Sequence, residues 1–286
     1  MFKSEYAEAN GLRLHYVSEG EGQLVLFLHG FPEFWYAWNK QLAEFGKDHR
    51  AVALDLPGYN LSDKPSDVSE YTVARIGAAV HAFARQISKD AKFVLVGHDW
   101  GGFIAWALAI AHSEDLEKLV IINAPHPGIF VQLLRADPDQ KKASEYMGMF
   151  RSTRAEETLS ANDFDILANR IMAFGKERGA AAEDRAEYIK AWSQPGAITG
   201  GLNYYRAGDL VARQAADITG APGSFTVNVP TLVIWGMKDP AMVAKNLDGL
   251  EQYVPQLRIE RIPDASHWVV HTHSAQVNSY IRAFLR

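Results

Sequence analysis

Two kinds of apolar spacing alternate along the first part of the chain. Short β-rich runs occupy residues 12–17, 24–28, 51–54, 93–96 and 119–122, and the last four are of the kind that a parallel sheet buries on both faces. The Asn10-Gly11 pair before the first of them fits a hairpin turn. Between the runs, residues 35–45, 73–87 and 103–111 have helical length and spacing, and this alternation predicts a mostly parallel, doubly wound α/β sheet. From about Pro125 to Pro222 only helix-like segments occur, among them residues 163–174 and 180–192. Strands return at residues 231–235 and 257–262, and an amphipathic segment follows at 274–285. The pattern therefore predicts a core built from residues 1–125 and 223–286, interrupted by a helical block at 126–222. The chain shows no repeat and no low-complexity tract.

Its 286 residues suit two domains or one large α/β unit with an insertion. With 29 basic against 34 acidic residues the net charge is −5, which argues against a nucleic-acid partner. A hydrophobic share of 48% lies far from the disordered regime. Cysteine is absent, which excludes disulfides, thiolate zinc sites, iron–sulfur clusters and a cysteine nucleophile. The amino terminus mixes Lys3, Glu5 and Glu8 with apolar residues and does not look like a signal peptide. The longest apolar stretch, 101–111, is too short to cross a bilayer, which takes about 20 residues. A cytoplasmic protein with no membrane partner is the expectation.

Candidate chemistry lies where strands end. Gly97-His98-Asp99-Trp100-Gly101-Gly102 follows a strand and precedes a helix. Small residues two before and two after the centre allow a tight turn that presents Asp99 above the sheet. From spacing alone, a turn with Asp99 as a helix cap fits as well. At Leu28-His29-Gly30-Phe31-Pro32, a Gly-rich bend lets the N–H of Phe31 face a developing oxyanion, with the N–H of Trp100 as second donor. Asp239 follows the strand at 231–235, and His267 follows the last one. The order nucleophile, acid, histidine is the one expected of α/β-hydrolases, and open α/β sheets bind ligands at strand carboxyl ends.

With these residues the whole chain resembles the α/β-hydrolase fold superfamily, and within it the soluble epoxide hydrolase branch with an aspartate nucleophile. The resemblance implies that the helical block is a cap. Residues 55–63 are similar to a family loop, Asp-x-x-Gly-x-Gly-x-Ser, with Asn60 in place of Gly; asparagine tolerates positive φ. Leu202-Asn203-Tyr204-Tyr205-Arg206 resembles a cap motif whose matching tyrosine is Tyr205. Residues 145–150 resemble the segment supplying a second tyrosine, Tyr146, although Met147 and Met149 depart from the family. Either tyrosine also fits plain cap packing.

An aspartate is ionised at neutral pH, so Asp99 needs no base, and attack on an sp³ carbon gives an alkyl ester. His267, oriented by Asp239, is then free to take a proton from water for hydrolysis of that ester. A phenol can donate its proton to an epoxide oxygen, which leaves as an alkoxide, whereas a halide needs none. The expected activity is opening of an epoxide to a vicinal diol, a hydrolase acting on ether bonds. A haloalkane or haloacid dehalogenase remains the alternative, against which the loop after Gly30 lacks an Asn. Trp100 and Phe103 stand where a fluoroacetate dehalogenase would have Arg. A non-catalytic binding protein is a third reading.

No cofactor is expected, since the glycines at 196–201 follow no strand. No metal is expected either: no nearby carboxylate completes a set with His267, His271 and His273, and His267 already has a role. His29 and His98 read as structural. Cap aromatics Phe130, Phe150, Phe164, Phe174 and Trp192 favour an apolar or aryl epoxide over a charged one, with water as co-substrate. Monomer and homodimer are both open.

Overall fold

The computed structural model describes residues 2–177, 179–214 and 225–286. Its centre is an eight-stranded sheet: β1 (Lys3–Ala9), β2 (Leu12–Glu19), β3 (Leu24–Leu28), β4 (Arg50–Leu54), β5 (Phe93–His98), β6 (Leu116–Ile122), β7 (Thr231–Gly236) and β8 (Leu257–Ile262). The strand order is β1-β2-β4-β3-β5-β6-β7-β8. The β1/β2 and β2/β4 pairs are antiparallel and all others are parallel.

The unbroken apolar runs follow from cover on both faces. Leu26, Leu28, Leu95, Leu119 and Ile121 point to one core, shared with α2 (Val73–Ser88) and α3 (Trp100–Ala111). Their chain neighbours Val25, Phe27, Val94, Val96, Val120 and Ile122 point to the other, shared with α1 (Asn39–Phe45) and with a carboxyl-terminal helix at residues 274–285. The two-residue side-chain period of a strand divides each run between the cores. β1 carries no such run. It is an edge strand with largely exposed polar residues, paired with β2 from Lys3↔Ser18 to Ala9↔Leu12. Asn10 (φ 52°) and Gly11 (φ 77°) form the tight turn between them.

Between β6 and β7 lie α4 (Pro127–Ala136), α5 (Pro138–Ala143), α6 (Tyr146–Arg151), α7 (Ala155–Asp165), α8 (Arg185–Trp192) and α9 (Ala197–Gln214). The expected helix at 163–174 is not continuous. Asn162, Asp163 and Phe164 have φ of 51°, 55° and 59°, a π-helix spans Ile166–Ile171, and Ala173 has φ of 51°. Within the π-turn the Asp165 side chain accepts from Asn169 Nδ2 at 2.6 Å. The expected boundary at 222/223 falls outside the described residues. Two short helices complete the chain, α10 (Val269–Thr272) and α11 (Ser274–Leu285). Among the described residues no helix is long and apolar enough to cross a membrane.

The strand order has one consequence for function. β4 lies on one side of β3 and β5 on the other, so the chain reverses direction across the sheet at β3. The carboxyl ends of β3 and β5 thus flank a topological switch point, where such sheets leave a crevice.

Candidate active site

Asp99 sits in that crevice. It joins β5 to α3 with φ 52° and ψ −124°, a conformation costly for a residue with a side chain. The turn is held by crowding: a Cβ on Gly101 would lie 2.2 Å from the carbonyl oxygen of Leu28, and one on Gly30 would lie 2.1 Å from Asp99 Oδ1. Asp99 makes no side-chain bond to its own helix, so the helix-cap reading fails. Its Oδ1 instead accepts from the N–H of Phe31 at 2.8 Å, across the switch point. Trp100 is the first residue of α3, where an N–H has no intrahelical acceptor and the helix dipole favours a negative group. Asn60, in the loop after β4, has φ of 39° and donates to Asp55 Oδ2 at 2.8 Å, so the exchange of Gly for Asn keeps that turn.

His267 Nε2 stands 3.5 Å from Asp99 Oδ2, and its Nδ1 meets Asp239 Oδ2 at 2.7 Å. Asp239 is fixed from several sides. Its Oδ1 accepts from the N–H groups of Ala241 and Met242 at 2.8 and 3.0 Å, and its Oδ2 accepts from Asn123 Nδ2 at 2.7 Å. Burial would drive protons off His267, but the charge and hydrogen bond of Asp239, with those of Asp99, raise its pKa well above the usual value. Burial works equally against ionising Asp99; the hydrogen bond and charge of His267, the charge of His98 and the N–H of Phe31 outweigh it and lower its pKa. The free site therefore holds Asp99 as a carboxylate beside a protonated His267.

Asn123 and Glu33 were not apparent from the sequence. Asn123, just past β6, bridges β6 and β7 by accepting from the N–H of Gly236 at 2.8 Å while it holds Asp239. Glu33 is a buried carboxylate under the site. His98 Nδ1 lies 3.0 Å from Glu33 Oε2, and His98 Nε2 lies 2.9 Å from the carbonyl oxygen of His267. Both ring nitrogens thus face acceptors, one a carboxylate and one a backbone carbonyl. His271 Nε2 meets Glu33 Oε1 at 2.5 Å. Burial opposes the Glu33 charge, but the hydrogen bonds from His271 and His98 hold its pKa below the carboxylate range. His29 is different: its Nδ1 donates to the carbonyl of Gly30 at 2.8 Å and its Nε2 accepts from the N–H of Leu56 at 3.1 Å. It is a neutral tie between the loops after β3 and β4.

Removing the Glu33 charge would leave the buried rings of His98 and His271 without their shared carboxylate partner. Glu33→Gln is expected to cost about 3–5 kcal/mol, the usual range for breaking a buried pair from one side. The depressed pKa gives the contribution its sign: it is present above the normal carboxylate pKa and is lost as pH falls. Urea unfolding checks it. A midpoint equal to the parent's would contradict the ion pair, and adding His98→Gln to Glu33→Gln should recover part of the loss.

Asp99, His267, Tyr146 and Tyr205 line one cavity of about 250 Å³, walled also by Phe31, Phe150 and Trp268. Tyr205 faces it from α9, while its neighbour Tyr204 turns away and donates to the carbonyl of Pro57 at 2.8 Å. The Tyr146 and Tyr205 rings lie 6.2 Å apart. Burial, with the charge of Asp99, pushes both phenols upward, so they stay protonated. A larger open groove of about 890 Å³ runs past Leu24, Arg50 and Glu117 at the amino ends of the strands, and none of the candidate residues lines it.

The structure does not gather His267, His271 and His273 on one ion, since their rings serve Asp239, Glu33 and Asp264 separately. Among the described residues, only His81, His112 and Asp115 cluster like metal ligands. Their imidazoles stack 3.8 Å apart at 10°, so one ion cannot lie in both ring planes, and Arg85 already pairs with Asp115.

Comparison with known proteins fits this geometry. A family model described as the alpha/beta hydrolase fold matches residues 23–274. Epoxide hydrolase 4 of Mus musculus is 36% identical, with 97% of this chain and 77% of that protein aligned. The chain belongs to the epoxide hydrolase family of α/β-hydrolases. A second relative of this epoxide hydrolase family member, AB hydrolase superfamily protein YfhM of Bacillus subtilis, is 35% identical over 99% of this chain and 98% of its own length. Among solved structures, a mutant of a Bacillus megaterium epoxide hydrolase, complexed with its product (R)-3-[1]naphthyloxy-propane-1,2-diol, superposes with a TM-score of 0.90. It is 35% identical, covering 98% of this chain and 99% of that one.

Proposed function

We propose that this family member hydrolyses an epoxide to a vicinal diol through an alkyl ester on Asp99. One observation carries the reading: a single cavity holds an ionised carboxylate, anchored through one oxygen, together with two protonated phenols. A carboxylate suits attack on carbon, and phenols suit a leaving alkoxide. Residues 126–222 act as the cap that supplies the phenols.

In the first step an Asp99 oxygen bonds to an oxirane carbon, the carbon–oxygen bond of the ring breaks, and the alkoxide takes a proton from Tyr205 or Tyr146. The tyrosinate then recovers its proton from the His267 cation, which leaves the imidazole neutral once the Asp99 charge is gone. In the second step neutral His267 Nε2 takes a proton from water, and the hydroxide adds to the Asp99 carbonyl carbon. The N–H groups of Phe31 and Trp100 hold the oxyanion. Collapse passes the proton of the added hydroxyl to the departing oxygen, releases the diol and restores the Asp99 carboxylate beside the protonated His267. Asp239 keeps His267 in the tautomer this requires.

Phe31, Phe150 and Trp268 around the cavity suit an apolar or aryl substituent on the oxirane. The Bacillus megaterium relative, with its naphthyloxy diol, supports the same class.

Labelled water tests the chemistry. In one turnover of styrene oxide with excess enzyme in ¹⁸O water, label is expected in Asp99 and not in the diol, because water attacks the ester carbonyl. Label passing straight into the first diol would mean direct attack by water on the epoxide, and Asp99 would not be the nucleophile.

A further inference from the structure

The cavity wall formed by the π-helix Ile166–Ile171 is apolar at Ile166 and Ile171, but Arg170 lines it too, and its side chain is exposed to solvent. Among the described residues Arg170 has no hydrogen-bond or ion-pair partner. Other cap arginines are committed: Arg206 clasps Glu156 through two nitrogens at 2.7 and 2.8 Å, and Arg151 Nε donates to the carbonyl of Tyr205 at 3.1 Å. A free guanidinium on the wall of an apolar cavity is a planar fork that matches a carboxylate.

We propose that Arg170 makes this site selective for epoxides that carry a carboxylate at the end remote from the oxirane. The inference rests on the epoxide reading above and refines it: the body of the substrate is apolar and its outer end is anionic. Two further features support that orientation. Asp99 and Asp239 make the inner end hostile to an anion, so a negative group is driven outward. The π-helix is also fixed relative to the reacting groups, because the carbonyl of Ile171 accepts from Trp268 Nε1 at 2.8 Å and Trp268 follows His267. A cavity of about 250 Å³ has room for a compact apolar body between Asp99 and Arg170.

Three probes of one shape test this: styrene oxide, its para-carboxylate and its para-carboxamide. The readout is the ratio of kcat/KM for carboxylate over carboxamide within each variant, so a general change in activity cancels. Arg170→Gln is expected to lower the ratio roughly fivefold, the size of a solvent-accessible charge pair. Arg170→Lys should keep most of it and Arg170→Glu should push it lower still. A ratio unchanged in both Arg170→Gln and Arg170→Glu overturns the proposal. The two readings fail separately: if the parent enzyme opens styrene oxide but the ratio ignores Arg170, only the carboxylate selectivity falls. If the parent opens none of the three, both fall.

Discussion

Exchanging His267 for glutamine is expected to stop turnover after one chemical step and leave the substrate bound as an ester to Asp99. Attack by Asp99 needs no base, because the carboxyl is ionised through the neutral range. Hydrolysis does need one, and glutamine cannot accept a proton from water, so that step should slow by about 10²- to 10⁴-fold or more. Intact-protein mass spectrometry should show a gain of one epoxide, and Asp99→Ala should show none. Continued diol release by the His267 variant without an adduct would rule out the scheme.

The same electrostatics explain how one histidine waits as a cation and then serves as a base. In the free site Asp99 contributes both a charge and a hydrogen bond to the raised pKa of His267. Esterification removes the charge. The pKa of His267 must fall, and a lower pKa means a larger neutral fraction at a given pH. Acid should therefore slow hydrolysis before it slows alkylation, since Asp99 stays ionised below the ordinary carboxylate range. Quenched-flow experiments at falling pH should find the ester accumulating in the unaltered enzyme.

Residues whose role follows from position on one strand end were legible before the structure. Asp99 and Asp239 each follow an apolar run and His267 follows a strand of alternating apolar and charged residues, and the fold needs only to stack these strands in parallel to bring the three together. β1 was not legible, because an edge strand with a solvated face has no apolar run to read. Glu33 and Asn123 were hidden for a different reason. Glu33 acquires its meaning from His98 and His271, and Asn123 from Gly236 and Asp239, contacts that exist only once the strand order is known. A charged residue within Phe31-Pro32-Glu33-Phe34-Trp35-Tyr36 was the available signal, since a carboxylate among aromatics is buried only with partners. In the cap, resemblance identified Tyr205, but spacing could not separate it from Tyr204. Adjacent positions on a helix face different ways, and the Pro57 carbonyl claims Tyr204.

The tyrosines decide between leaving groups, and removing both hydroxyls should have the most selective effect. Tyr146→Phe with Tyr205→Phe keeps both rings, and so preserves most of the packing of Tyr205 against Phe31, Phe150 and Trp100. What is lost is the proton for the alkoxide. Each single change should leave partial activity, because the cavity still offers one phenol to the oxygen. The double change should lower epoxide opening by at least the roughly 10²- to 10⁴-fold usual for general acid catalysis. The block should fall on the first step, so the double variant should form no ester with styrene oxide, in contrast to the His267 variant. An alkyl bromide separates this from general damage to the site, since bromide departs without a proton. If the unaltered enzyme forms an adduct with 1-bromobutane, the double variant should form it at a similar rate. Full epoxide turnover by the double variant would return both tyrosines to packing roles and remove the chemical reason for preferring an epoxide over a halide as substrate.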